Sequence, residues 1–226
     1  MKLKYLFAML LTLSMFSCEI DNFDAPSNQF NGRFTYNGES LQLRGTGGDG
    51  DNILYAIQKG SEYENSGTIP LYVNSDGEFN SLMYDGHYQI VLRQDRGPWV
   101  PMKDTIEVDI QGAQTLDIEV TPYYMLRNSS ISFNNNVITV STEVDQIVED
   151  AEIDKLTLFV SSTMFVDNVA KIAEYSCSDA QVGANEFSYD ISDNAETNNA
   201  KFLYARVGLK AKASNDYIFS EVVQLR

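Results

Sequence analysis

The sequence predicts an all-β fold built as two tandem β-sandwiches, and three observations carry that prediction. Short runs of alternating apolar residues recur along the chain, divided by Gly, Asn and Asp, which is the spacing of sandwich strands. Aromatic residues make up 12% of the 226 residues, with 13 Tyr and 12 Phe, and such rings favour pleated surfaces over helical bundles. Near the midpoint the pattern breaks at Thr121-Pro122, because Pro removes a ladder donor and pushes the residue before it to extended geometry.

In the first half, Phe30, Gly32, Phe34 and Tyr36 mostly alternate. Asn37-Gly38 is a hairpin turn signal, with Leu41 and Leu43 opening the return strand. Residues 53–57 read as a buried strand. Ile69, Leu71 and Val73 alternate before the turn Asn74-Ser75-Asp76-Gly77. Phe79, Leu82 and Tyr84 lead to Asp85-Gly86, after which Tyr88, Ile90 and Leu92 alternate again. Ile106-Val108-Ile110 and Leu116-Ile118-Val120 are period-two strands joined across Gln111-Gly112. In the second half, Ile131-Phe133 and Val137-Thr139 flank the turn Asn134-Asn135-Asn136. Residues 143–154 read as an acidic solvated loop, 153–160 as a strand, and 166–173 as a short helix or irregular crossover. Phe187-Tyr189-Ile191, Phe202-Tyr204-Arg206 and residues 218–225 complete the set. Each half holds about seven strands, one sandwich by count.

The N-terminus reads as an address. Lys2 and Lys4 precede an apolar stretch over residues 5–16, of secretory length and short of the ~20 apolar residues a membrane span needs. Met15-Phe16-Ser17-Cys18 resembles a bacterial lipobox, which implies cleavage before Cys18 and its lipidation; the competing reading is an ordinary signal peptide with an incidental Cys. Glu19, Asp21 and Asp24 follow at once, similar to the surface-export signal of Bacteroidota lipoproteins, or simply a solvated tether. The expected division is a signal peptide at 1–17, a lipidated tether at 18–28, one sandwich at 29–122 and a second at 123–226. The expected location is the outer membrane, facing outward.

Three segments add a resemblance. Asp21-Asn22-Phe23-Asp24-Ala25-Pro26, then Asp76-Gly77-Glu78-Phe79 leading to Tyr84-Asp85-Gly86-His87-Tyr88, and Val120-Thr121-Pro122-Tyr123-Tyr124 together resemble a family of Bacteroidota surface lipoproteins of unknown function. That resemblance implies a transthyretin-like (prealbumin-like), carboxypeptidase-regulatory-like sandwich followed by an immunoglobulin- or fibronectin-like one. It also implies genes in polysaccharide-utilisation clusters and a role in glycan capture beside a TonB-dependent transporter and its lid lipoprotein. It transfers no catalytic residue.

Composition excludes several functions. With 32 acidic against 16 basic residues the formal net charge is -16, which repels phosphate backbones and argues against nucleic-acid partners. One His and two Cys leave no His- or Cys-rich metal site and no disulfide scaffold. No cofactor is expected.

The loop over residues 93–101 holds the only Trp. An exposed Trp99 would cover the apolar face of a sugar ring while Arg93, Asp95 and Arg96 bond its hydroxyls; the favoured alternative is that Trp99 plugs the end of the first sandwich. Tyr63 is the tyrosine expected to be exposed, whereas Tyr55, Tyr72, Tyr84 and Tyr88 are expected in the core or at edges. Asp49, Asp51 and Asn52 could offer oxygens to Ca²⁺, but the full calcium-loop pattern is missing and a polar loop is the simpler reading. His87 at a strand end lacks a nucleophile-elbow motif, and Cys177 is expected to be a buried inert thiol, so no enzyme is expected. Tyr123 and Tyr124 are expected to pack the sandwiches together. The sequence therefore points to a glycan-binding surface lipoprotein, or else to a structural adaptor touching the transporter complex.

Overall fold

The structure is a computed structural model that describes residues 24–46, 51–60 and 67–226. It is almost entirely β. The first half contains β1 (Asn28–Tyr36), β2 (Glu39–Ser40), β3 (Leu54–Lys59), β4 (Ile69–Leu71), β5 (Glu78–Met83), β6 (Gly86–Leu92), β7 (Ile106–Ile110) and β8 (Gln114–Glu119). These form two sheets: β1 carries β2, β5 and β8, and the other runs β4-β3-β6-β7. The inward faces meet over Phe30, Phe34, Phe79, Leu54, Ile90 and Ile118, all buried. Alternation places them there, since successive side chains on a strand point to opposite faces.

β8 pairs with β1 in parallel, Asn31 opposite Thr115 and Arg33 opposite Asp117. Its other face toward water keeps the alternating polar residues that the sequence shows. The expected return strand at Leu41 and Leu43 reduces to the two residues of β2. Leu41 and Leu43 are buried instead as single hooks, their N–H groups donating to Phe34 (3.0 Å) and Ser75 (2.9 Å) carbonyls.

The second half contains β9 (Tyr124–Asn134), β10 (Val137–Gln146), β11 (Ile153–Ser161), β12 (Ala173–Ser176), β13 (Gly183–Asp190), α1 (Ala195–Asn199), β14 (Tyr204–Ala211), β15 (Tyr217–Phe219) and β16 (Val223–Gln224). One sheet is β13-β10-β9; the other is β12-β11-β14-β15, with β16 also on β14. One expectation changes. Glu143 and Asp145 belong to β10, not to a loop, because Val140, Thr142 and Val144 alternate inward along that strand. Of the two readings of residues 166–173, the irregular crossover is the one found, with residues 166–172 irregular. A short helix lies at α1, where the Asn194 side chain caps the Glu196 and Thr197 N–H groups, an arrangement Asn favours.

Beside a second, smaller cluster of Phe159, Val166 and Phe219, most of the buried apolar residues form one contiguous cluster through both halves. Tyr124 lies in it, 2% exposed, its hydroxyl donating to the Ala151 carbonyl at 2.6 Å. Polar ties cross the joint as well. Arg206 on β14 is 1% exposed. Its guanidinium donates to the carbonyls of Ser220 (2.8 Å), Leu43 (2.9 Å) and Ser75 (3.1 Å) and lies 4.4 Å over the Phe219 ring. The Phe219 N–H donates to Gln42 O at 3.0 Å, and Arg127 of β9 pairs with Glu39 of β2.

Replacing Arg206 with Met leaves the Leu43 and Ser75 carbonyls without those donors, at about 1–3 kcal/mol for each buried acceptor. Urea denaturation of Arg206→Met is expected to show a loss of roughly 3 kcal/mol, within the range for breaking such buried networks; an unchanged midpoint would remove Arg206 from its role at the joint.

Candidate functional site

The loop that carries Trp99 folds inward. Trp99 is 2% exposed and stacks on Phe34 with ring centroids 4.8 Å apart and planes at 19°. Gly97, at φ +88°, lies against the indole, where a Cβ would fall 2.2 Å from the ring. Only a residue without a Cβ allows that approach, and only Gly takes that backbone cheaply. The exposed Trp99 platform is therefore corrected in favour of the preferred reading, an inward-packed Trp99: an indole buries a large apolar area, and Phe34 supplies the matching face.

The polar residues of the same loop are paired, and part of the loop is bound across the joint. Arg93 grips Asp95 at 2.7 and 3.0 Å, which holds the Asp95 carboxyl below its ordinary range and raises the guanidinium. Arg96 reaches Asp51 and Asp216, both at 3.3 Å. Asp216 also accepts the Gly97 N–H (2.8 Å), Ser214 donates to the Gly97 carbonyl (3.1 Å) and Asn215 to that of Asp95 (3.1 Å). Arg96 joins the halves through Asp216, while the Arg93 and Asp95 side chains bond each other within the loop.

Cys18, Tyr63 and Asp49 lie outside the described residues. Asp51 faces Arg44 at 3.0 Å as well as Arg96, and Asn52 is buried with its Oδ1 unpartnered. Among the described residues no group of three or more His, Cys, Asp or Glu side chains is placed to hold a metal ion. His87, on β6, sits between Asp109 (2.7 Å) and Glu107 (3.0 Å). The hydrogen bond to Asp109 is the main cause that raises its pKa. With both ring nitrogens facing carboxylates, neither is left to draw a proton from a hydroxyl. Cys177 is a free thiol, half-buried.

The structure brings other residues together. A cleft of about 950 Å³ opens between the two halves. From the first half it takes Tyr72, Asn74, Asp76 and Arg44; from the second it takes Met164, Phe165, Val169 and Glu221, with Arg206 also on its lining. Tyr72 is 53% exposed and Phe165 73%.

Local sequence explains both positions. Leu71 and Val73 point inward, so Tyr72 between them points out. The following turn is fixed by Asn74, whose Oδ1 accepts the Asp76 and Glu78 N–H groups, both at 2.9 Å. Gly77 closes that turn at φ +75°, with no room for a Cβ beside the Leu41 carbonyl. On the other wall, Val166 is buried against Phe159 and Phe219. The Asp167 Oδ1 accepts the Val169 and Ala170 N–H groups, both at 2.7 Å. One buried peg and one side-chain cap thus leave Met164, Phe165 and Val169 exposed around the cleft.

The charges in the cleft are unequal. Asp51, Asp76, Asp167 and Glu221 face Arg44 and Arg206. Burial lowers the Arg206 pKa to about 10, while Asp167 and Asp76 pull it the other way, so it stays protonated at neutral pH.

A second hollow, of about 730 Å³, lies on the outer face of the sheet containing β1, and Tyr72 and Asn74 line both. Tyr72 and Tyr84, expected in the core or at edges, are outside the core, 53% and 48% exposed. The phase of Leu71 and Val73 carried the signal for Tyr72. No alternation marked Phe165, because Val166, which turns it outward, is held between Phe159 of the preceding strand and Phe219 of β15.

Residues 28–121 match the N-terminal domain of a protein of unknown function, DUF3823, and residues 124–224 match a domain of unknown function, DUF3823_C. Among solved structures, a DUF3823 family protein from Parabacteroides merdae is 38% identical, covering 90% of this chain and 100% of its own at a TM-score of 0.81. One from Bacteroides ovatus is 28% identical, with coverages of 88% and 98% and a TM-score of 0.75. A Bacteroides uniformis structure described as a candidate carbohydrate binding protein is 19% identical, with coverages of 89% and 100% and a TM-score of 0.72. A search of curated proteins returns no match.

Trp99→Ala is expected to lower stability by about 3–5 kcal/mol, the range for removing a buried Trp. Chemical denaturation measures it, and a loss under about 1 kcal/mol, as at surface sites, would mean that Trp99 does not pack as described.

Proposed function

The chain belongs to the DUF3823 family, and we propose that it is a non-catalytic, lipid-anchored glycan-binding protein of the outer membrane. In this reading it faces outward and assists a TonB-dependent polysaccharide uptake system. The observation that carries it is the cleft lined by an exposed aromatic from each sandwich, Tyr72 and Phe165, beside Asn74, Asp76 and Glu221. A sugar ring offers a flat C–H face and a rim of hydroxyls; the aromatic rings take the first, and amides and carboxylates take the second. Volume and lining fit the usual form of a ligand site, concave and largely apolar with a few placed polar groups. The description of the Bacteroides uniformis neighbour supports the same reading. Lipidation at Cys18 would hold the sandwiches at the surface, acyl chains supplying ~0.8 kcal/mol per buried CH₂.

A second reading rests on Met164, Phe165 and Val169, three exposed apolar residues on one loop. Such a patch suits a protein contact, and the chain would then be an adaptor for the transporter or its lid lipoprotein.

Calorimetry of the chain from residue 19 onward, which retains every described residue, separates the two. With neutral polysaccharides, Tyr72→Ala and Phe165→Ala are each expected to weaken binding roughly tenfold, ~1.4 kcal/mol, with unchanged melting temperature. Absence of binding to every polysaccharide, together with co-purification of the transporter, would replace glycan capture with the adaptor reading. For the anchor, Cys18→Ala is expected to move the protein from the membrane fraction to the soluble one; a protein that stays with the membrane would reject lipidation at Cys18.

A further inference from the structure

We infer that the ligand is an internal stretch of a neutral polysaccharide that crosses Tyr72 and occupies both hollows, not a chain end or a short oligosaccharide. This rests on the glycan reading above and names the class of glycan. The cleft and the hollow on the outer sheet face share Tyr72 and Asn74 as lining, so one phenol ring stands between two adjoining spaces. Both spaces are partly open to solvent. A polymer that crosses Tyr72 can occupy one and reach into the other, which a single terminal unit cannot do.

The floor of the second hollow is suited to a row of hydroxyls. Three adjacent strands place Asn80, Asn31 and Thr115 in one register row and Glu78, Arg33 and Asp117 in the next. Neighbouring strands are about 4.8 Å apart and alternate residues of one strand about 7 Å apart. The floor is thus a rigid lattice of donors and acceptors with a span of roughly 10 Å, set by backbone pairing instead of by mobile loops. Arg33 is braced at 3.2 Å by both Asp117 and the Ser40 hydroxyl. Asn74 Nδ2 reaches the Glu78 carboxylate at 3.3 Å, tying the lattice to the turn beside Tyr72. The Oδ1 of Asn31 is buried without a hydrogen-bond partner, an acceptor on the lining that a hydroxyl or bound water would satisfy.

Charge selects the class. Carboxylates outnumber guanidinium groups in the cleft, and Glu78 and Asp117 outnumber Arg33 in the second hollow. The chain as a whole carries -16. Uronate or sulfated glycans would meet that field at close range, while a neutral chain pays no such penalty.

The test uses neutral oligosaccharide ladders from malto-, cello-, xylo- and manno-series, each beside its parent polysaccharide, with polygalacturonate as the acidic polymer. For the series that binds, affinity is expected to climb with added units until the ligand spans both hollows and then to level. Asn80→Ala and Asn31→Ala are expected to weaken the polymer roughly tenfold while leaving the shortest bound oligosaccharide unaffected. Phe165→Ala weakens both, polygalacturonate does not bind, and unchanged melting temperatures confirm the folds. A short oligosaccharide that binds as tightly as the polymer, or polymer affinity indifferent to both Asn variants, would overturn the inference and leave glycan binding at the cleft standing. Binding of polygalacturonate would overturn its neutral class. If no polymer binds, the inference falls with the glycan reading itself.

Discussion

Arg206 sits on β14 with its guanidinium sealed from solvent and no carboxylate within ion-pair distance among the described residues. A buried charge is costly unless its donors are satisfied and its field is partly balanced. Here the carboxylates of Asp167 and Asp76 favour the charge from beyond ion-pair distance, while the donors go to carbonyls. One belongs to the second sandwich, at Ser220, and two to the first, at Leu43 and Ser75. The Phe219 ring covers its face at 4.4 Å. The planar fork can reach acceptors on both halves at once, which an ammonium on a single stem cannot do with the same geometry. The turn that follows Tyr72 is therefore fixed to β14, and the position of the cleft follows from it.

The Trp99 loop makes a second tie across the joint, where Arg96, Gly97 and Asp95 meet the turn at Ser214, Asn215 and Asp216. The two ties differ in kind. Arg206 is dry and carbonyl-bound; Arg96 and Asp216 are partly exposed, at 24% and 18%, and partly screened by solvent. With Arg127 and Glu39 as a third tie, the sandwiches are held at separated points, which suits a cleft whose two walls come from different halves.

The alternation of apolar residues made the strands legible. Ile106, Val108 and Ile110 became β7, and Leu116 with Ile118 lies in β8. The same periodicity could have placed Tyr72 outside, since Leu71 and Val73 face inward. What the sequence could not express was pairing at a distance. β8 lies parallel to β1 although Asn31 and Thr115 are far apart in the chain, and that pairing builds the polar lattice of the outer face. The Pro and Gly around Trp99 declared an irregular loop without saying which way the indole would turn. Its direction is set by Phe34, in another strand. Phe165 was silent for a related reason: Val166 is anchored by Phe159 on the preceding strand and by Phe219, more than fifty residues further along the chain. Local pattern thus revealed the layers, and non-local contacts made the site.

Trp99 is the only Trp in the chain, and it is enclosed at the joint, stacked on Phe34 and absent from the lining of the cleft. The protein consequently carries an intrinsic fluorophore at the seam between its halves. Occupation of the cleft does not touch the indole directly. A change in emission on adding a ligand would therefore report movement of the loop against its neighbours, and a constant emission would report a cleft that accepts its occupant as a rigid dock.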